Sequence, residues 1–180
     1  MPGARERAAR VDDGGRNDAA ARSRGRDRRG GAGVTRPVHG ALHHVEIWVP
    51  ALERAVTSFG WLLEALGYTP FQSWSDGRSW RLGATYLVFE QSPALTAERH
   101  ERCRPGLNHL AFHVEGRDAV DALARRAPEH GWTLMFPDRH PHAGGPRTYA
   151  AYLENTDGFE VELVAADAPG PAPATGTDQP

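Results

Sequence analysis

One-by-one alternation of apolar and polar residues opens the regular part of this chain. Val45, Ile47 and Val49 alternate with His44, Glu46 and Trp48, the period-two signature of a strand with one buried face. From Pro50 the spacing lengthens to three and four. Leu52, Ala55, Val56, Phe59, Leu62, Leu63 and Leu66 make one apolar stripe of a helix, which Gly67 stops. Strand patterns follow over 68–74, 79–82 and 84–91, with Asp76-Gly77 as a turn.

The same order then recurs. Leu42-His-His-Val-Glu-Ile-Trp-Val49 resembles Leu107-Asn-His-Leu-Ala-Phe-His-Val114 at an offset of 65 residues. In the second copy Leu110, Phe112 and Val114 share one face, and His109, Ala111 and His113 the other. A helix is predicted from Arg117 to Ala127 through Val120, Leu123 and Ala127, with Pro128 and Gly131 ending it. Strands over 133–136, 148–154 and 159–164 complete the half, with 155–158 as a turn. Each half reads β-α-β-β-β. The fold class is therefore α+β: a module over 41–91, a polar linker over 92–105 and a second module over 106–166.

The faces carry the chemistry. The apolar side of each opening strand belongs under its helix, so His44 and His109 point to the opposite, concave side. On the last strand Phe159, Val161 and Leu163 form the apolar set, while Glu160 and Glu162 share the other face. Imidazoles and carboxylates gathered inside a curved sheet are costly unless they are paired or bind a metal.

Composition narrows the picture. A chain of 180 residues that is 39% apolar suits one ordinary domain or two small modules sharing a core. No apolar run is long enough for a membrane span. The lone Cys103 excludes an intramolecular disulfide framework and a cysteine-rich zinc site; it sits in the linker without a neighbouring base, and no catalysis is assigned to it. It fits a reducing cytoplasm, the expected location. Residues 1–40 carry ten arginines against five acids and residues 41–180 eleven against eighteen, which together give the net −2. The Arg-rich stretch 1–40 has too few large apolar side chains to order itself, and no apolar leader segment follows its arginines. Such an arm could meet phosphates, but nucleic-acid binding is not expected to be the function. The Pro- and Ala-rich end, 167–180, reads as a second disordered tail.

Three motifs resemble the vicinal oxygen chelate superfamily, which includes glyoxalase I, extradiol dioxygenases and bleomycin resistance proteins. They are His43-His44-Val45, Gly106-Leu-Asn-His109-Leu-Ala, and Asn155-Thr-Asp-Gly-Phe-Glu-Val-Glu162-Leu. The resemblance implies two βαβββ modules in a curved, barrel-like mixed sheet around a concave metal site. It implies His44, Glu90, His109 and Glu162 as ligands of one divalent ion, with nickel, cobalt, zinc, manganese and iron all suited to the donor set. A Glu at 90 tilts the reading towards a glyoxalase-type lyase or isomerase acting on a small oxygenated substrate through an enediolate. Glu162 is then the catalytic base and Glu90 its competitor. Two alternatives stand beside it: an extradiol-type iron dioxygenase using only His44, His109 and Glu162, and a drug-sequestering binding protein. Trp48 and His113 share the phase of the two His residues; His140, His142 and Arg147 lie in a loop dense in Pro, Gly and His, and Tyr149 follows it. These six are candidate substrate contacts. Open sheet edges need cover, so a homodimer is expected.

Overall fold

The computed structural model describes residues 38–166. The predicted Arg-rich arm, apart from 38–40, and the predicted tail over 167–180 lie outside the described residues. The first module begins with β1 (His44–Trp48), continues through a helical stretch over 52–65, and ends with β2 (Thr69–Trp74), β3 (Gly77–Leu82) and β4 (Thr85–Glu90). The second repeats the order with β5 (His109–Val114), a helix over Arg117–Arg126, β6 (Trp132–Leu134), β7 (Ala150–Asn155) and β8 (Glu160–Ala165). The predicted elements are all present. No helix among the described residues is long and apolar enough to cross a membrane.

The strands form two separate four-stranded sheets, ordered β1-β4-β3-β2 and β5-β8-β7-β6, rather than one barrel-like sheet. Each is mixed: β1 lies parallel to β4 and β5 parallel to β8, while the remaining pairs are antiparallel. The edges carrying His44 and His109 therefore pair on one side only. Edge strand β1 keeps His44, Glu46 and Trp48 exposed, and β2 is exposed over nearly its whole length.

The apolar faces meet in one core that both modules share. Ile47, Val49, Leu87 and Phe89 from the first sheet, and Leu153, Val161 and Leu163 from the second, enter the same cluster. Phe59 stands at its centre. Its ring packs 4.4 Å from Phe89 of its own module, and 5.0 Å and 5.8 Å from Trp132 and Phe159 of the other. The helix that carries Phe59 widens to a π-helical turn over Val56–Gly60, and there the indole of the buried Trp132 donates to the Ser58 carbonyl at 3.0 Å. Asn155 adds a contact to the Ser58 hydroxyl at 3.3 Å, and Arg54 pairs with Asp157 at 2.7 Å. Asn155 also receives the amides of Asp157 and Phe159, which fixes the turn before β8. Gly158 in that turn has φ +87°, and a Cβ on it would meet the His100 carbonyl at 2.5 Å, so glycine is what lets the linker cross here.

Because Phe59 bridges both modules, Phe59→Ala should lower unfolding free energy by about 3–5 kcal/mol, with a single urea transition. A loss below about 1 kcal/mol, or two separated transitions, would show that the modules do not depend on a common core.

Candidate metal and substrate site

Each module has a helix-free face that bears the titratable side chains. In the second module the parallel register sets His109 opposite Glu160 and Ala111 opposite Glu162. The Nε2 of His109 lies 3.4 Å from Oε2 of Glu162. The other carboxylate oxygen of Glu162 accepts the Tyr152 hydroxyl at 2.5 Å. Tyr152 reaches it because β7 sets Tyr152 directly opposite Glu162, and its ring also meets the His109 ring edge-on at 6.3 Å. Burial pushes the Tyr152 phenol well above its ordinary range; the hydrogen bond to Glu162 and the charges of Glu162 and Glu160 push it further. Tyr152 therefore stays a donor through the neutral range.

Glu160, the other carboxylate of the face, is buried and takes a different role. Arg102 of the linker approaches it at 3.1 Å, and Arg99 approaches Glu154 at 3.7 Å. Glu162 is left for His109.

The first module does not repeat this arrangement. Its register sets His44 opposite Tyr86, so the position two residues on, equivalent to Glu162, is Val88. Glu90 lies opposite Trp48, at the far end of the strand from His44. Four residues of extended chain separate them by about 13 Å. Burial raises the Glu90 carboxyl above its usual range, helped by repulsion from Glu46 and Asp76. The expectation that both modules end in an equivalent carboxylate fails on this register: Glu90 shares the face of His44 but lies four residues beyond the residue paired with it, whereas Glu162 lies only two beyond the residue paired with His109. His44 itself is exposed, stacked on Tyr86 at 5.0 Å and joined to His43 through their Nδ1 atoms at 2.9 Å.

The four predicted ligands thus do not meet within one copy. Among the described residues, no three His, Cys, Asp or Glu side chains lie close enough together to hold a metal. His109 and Glu162 do fit as part of such a site. They offer one imidazole nitrogen and one carboxylate oxygen, a donor pair suited to first-row divalent ions, at about the spacing of two donors that share one ion ~2.1 Å from each.

The predicted substrate contacts divide. Trp48 shares the helix-free face with His44, donates to Glu46 at 3.0 Å, and borders a cavity of about 240 Å³ that the linker closes with Arg99, His100 and Arg104. His113 is exposed on the His109 side of β5, near Leu66 and Gly67. Tyr149 turns the other way: its hydroxyl donates to Asp121 of the second helix at 2.9 Å, and Arg117 lies over its ring. His140 is held by the Ala150 carbonyl and by Asp121, and His142 by the Thr148 carbonyl. These three side chains support the loop rather than the helix-free face. Arg147 is exposed on that loop. The residue that sequence reasoning missed is Tyr152. Strand alternation would have found it, since Tyr152 shares the phase of Glu154 while Tyr149 has the phase of buried Leu153.

Tyr152 binds its proton more tightly in the folded protein than in the unfolded chain. Its contribution to stability should be intact below about pH 10, the unfolded value, and decline as pH rises towards the folded one. Between about pH 9 and 11.5 the melting temperature of the wild type should fall more steeply than that of Tyr152→Phe. Parallel curves would mean that the phenol is not held as described.

The profile of the glyoxalase/bleomycin resistance protein/dioxygenase superfamily matches residues 43–152, a span that includes His44, His109 and Tyr152 but stops short of Glu162. The YqjT protein of Bacillus subtilis (strain 168), itself uncharacterized, is 45% identical over 126 residues, covering 69% of this chain and 98% of that protein. A crystal structure of a candidate glyoxalase from Bacillus halodurans is 47% identical and superimposes with a TM-score of 0.67, covering 70% of this chain and 96% of that one. A glyoxalase/bleomycin resistance protein from Albidiferax ferrireducens T118, 21% identical with a TM-score of 0.56, covers 69% of this chain and 97% of its own and shares the fold.

Proposed function

The chain belongs to the glyoxalase/bleomycin resistance protein/dioxygenase superfamily, and we propose that it is a metal-dependent enzyme whose site joins His109 and Glu162 of one copy to His44 of a second. The observation that carries this reading is the His109–Glu162 contact on one helix-free face, with Val88 where a fourth, carboxylate ligand would stand in the other module. His44 lies on an exposed edge strand that pairs on one side only, which suits a contact made between copies.

Two histidines and one carboxylate on one side of an ion leave several positions open, the arrangement typical of non-haem iron oxygenases. When bound, the ion would act as a Lewis acid gripping two neighbouring oxygens of a small substrate. The ligand count therefore favours ring-opening of an aromatic vicinal diol, with both atoms of dioxygen inserted at the cleaved carbon–carbon bond, over isomerisation with four protein ligands. Tyr152 keeps its proton beside the site and can donate it to a substrate oxygen once Glu162 is engaged elsewhere.

A glyoxalase-type lyase or isomerase is the second reading, supported by the name of the Bacillus halodurans relative. Glu162 would then have to serve as base. One of its oxygens is taken by Tyr152 and the other faces His109, which suits a ligand better than a base. A drug-sequestering protein is the third reading, and it needs no metal ligands.

Metal content of protein purified without added metal, followed by oxygen uptake on vicinal diols and isomerisation assays on α-oxoaldehyde thiol adducts, separates the three. Iron with oxygen uptake supports the dioxygenase, isomerisation the lyase reading, and absence of metal affinity would reject both enzymes. His109→Ala should weaken metal binding by about 100-fold or more, whereas Glu90→Gln should change it less than about threefold. Mixed dimers of His44→Ala with His109→Ala should regain an intact site that neither variant has alone. Failure to regain one would place the whole site within a single copy or nowhere.

A further inference from the structure

We infer that Asn108 is a positioning residue that decides which ring nitrogen of His109 carries the proton, so that Nε2 presents a lone pair towards Glu162. The inference rests on the reading of His109 as a metal ligand and extends it to the neighbour that makes the ring fit for that role. Asn108 Nδ2 lies 3.1 Å from the backbone carbonyl of Arg102. A carbonyl can only accept, so the amide nitrogen must face it; the reversed amide would set oxygen against oxygen. That leaves Asn108 Oδ1 as the atom 2.8 Å from His109 Nδ1. Oδ1 carries no proton, so Nδ1–H of His109 donates. A neutral imidazole has one N–H, and Nε2 is therefore the acceptor.

The consequence appears on the other side of the ring. Nε2 faces Glu162 Oε2 at 3.4 Å, while Glu162 Oε1 is already occupied by Tyr152. Two lone-pair-bearing atoms facing each other repel unless a cation lies between them, so the same tautomer that Asn108 selects makes the pair a receptor for one. The anchor of the device is firm. Arg102, whose carbonyl orients the amide, is tied by its guanidinium to buried Glu160, and Glu160 stands opposite His109 across the β5–β8 pair. The linker is in this way coupled to the ring it passes.

The first module lacks the device. At the offset of 65, the counterpart of Asn108 is His43, whose Nδ1 meets His44 Nδ1 at 2.9 Å. Either imidazole can donate in such a contact, so it does not choose between tautomers. The asymmetry assigns Asn108 a role that the repeat alone would not reveal.

The test uses the full chain, metal-free, with 15N-labelled histidine at about pH 8.5, above the ordinary imidazole range. Two-bond 15N–1H correlations should show His109 as the Nδ1–H tautomer in the wild type. Asn108→Ala should move the proton to Nε2, where Glu162 can accept it, and should weaken zinc binding by about 10–100-fold. Asn108→Asp keeps an acceptor but puts an oxygen against the Arg102 carbonyl in place of the amide donor, so it should recover the Nδ1–H signature less fully than the wild type. An Nε2–H tautomer in the wild type, or an unchanged tautomer in Asn108→Ala, overturns the inference. Tautomers that behave as described in a wild type with no affinity for zinc or iron would leave the role of Asn108 standing and reject the metal-site reading beneath it.

Discussion

The parallel pairing of β5 with β8 is the constraint on which the chemistry of this chain depends. It fixes, to the residue, which side chain of one strand faces which of the other. Glu162 falls next to His109 because the pairing sets His109 opposite Glu160 and the strands then advance together. The antiparallel neighbour β7 adds Tyr152 opposite Glu162. Three groups from three strands thus meet, two of them from neighbouring strands of one hairpin and His109 from far upstream. The equivalent pairing of β1 with β4 has the same geometry but different occupants, and Val88 takes the place of a carboxylate.

That pairing holds because the opposite faces of the same strands are buried. Val161 and Leu163 are fully buried on the far side of β8 from Glu160 and Glu162, and a slip by one residue would exchange the two sets. The shared core raises the cost of such a slip. Phe59 touches both modules, and the π-helical turn around it lets the Trp132 indole reach the Ser58 carbonyl. Insertion of one residue into a helix is a local defect in hydrogen bonding, and here it coincides with the point where the second module enters the first.

The helix-free faces are consequently left to solvent, to the linker and to whatever assembles on them. The linker uses arginines to neutralise Glu154 and Glu160, the two carboxylates of β7 and β8 that no histidine meets. An unpaired carboxylate as buried as Glu160 would be costly, so Arg102 offsets a penalty that the strand pattern itself creates.

What the sequence by itself determined was periodic. The repeat at an offset of 65, the alternation through Val45, Ile47 and Val49, and the three-and-four spacing through Phe59 specified the eight strands, the helical stretch of each module and the order of both modules, but not the π-helical turn or the short 3-10 helices over Ala127–His130 and Pro137–Arg139. These features follow from local geometry, because the strand period and the helix period are properties of the chain alone. The tertiary structure alone decided phase between strands. Glu90 and Glu162 both end a module, yet only pairing register separates one from its histidine and joins the other to it. It also decided that the two sheets stay separate, that Tyr149 turns to the second helix while Tyr152 turns to Glu162, and that a linker carbonyl orients Asn108. Register is a relation between segments far apart in sequence, set by how complete the burial of one face becomes against partners that no local pattern names.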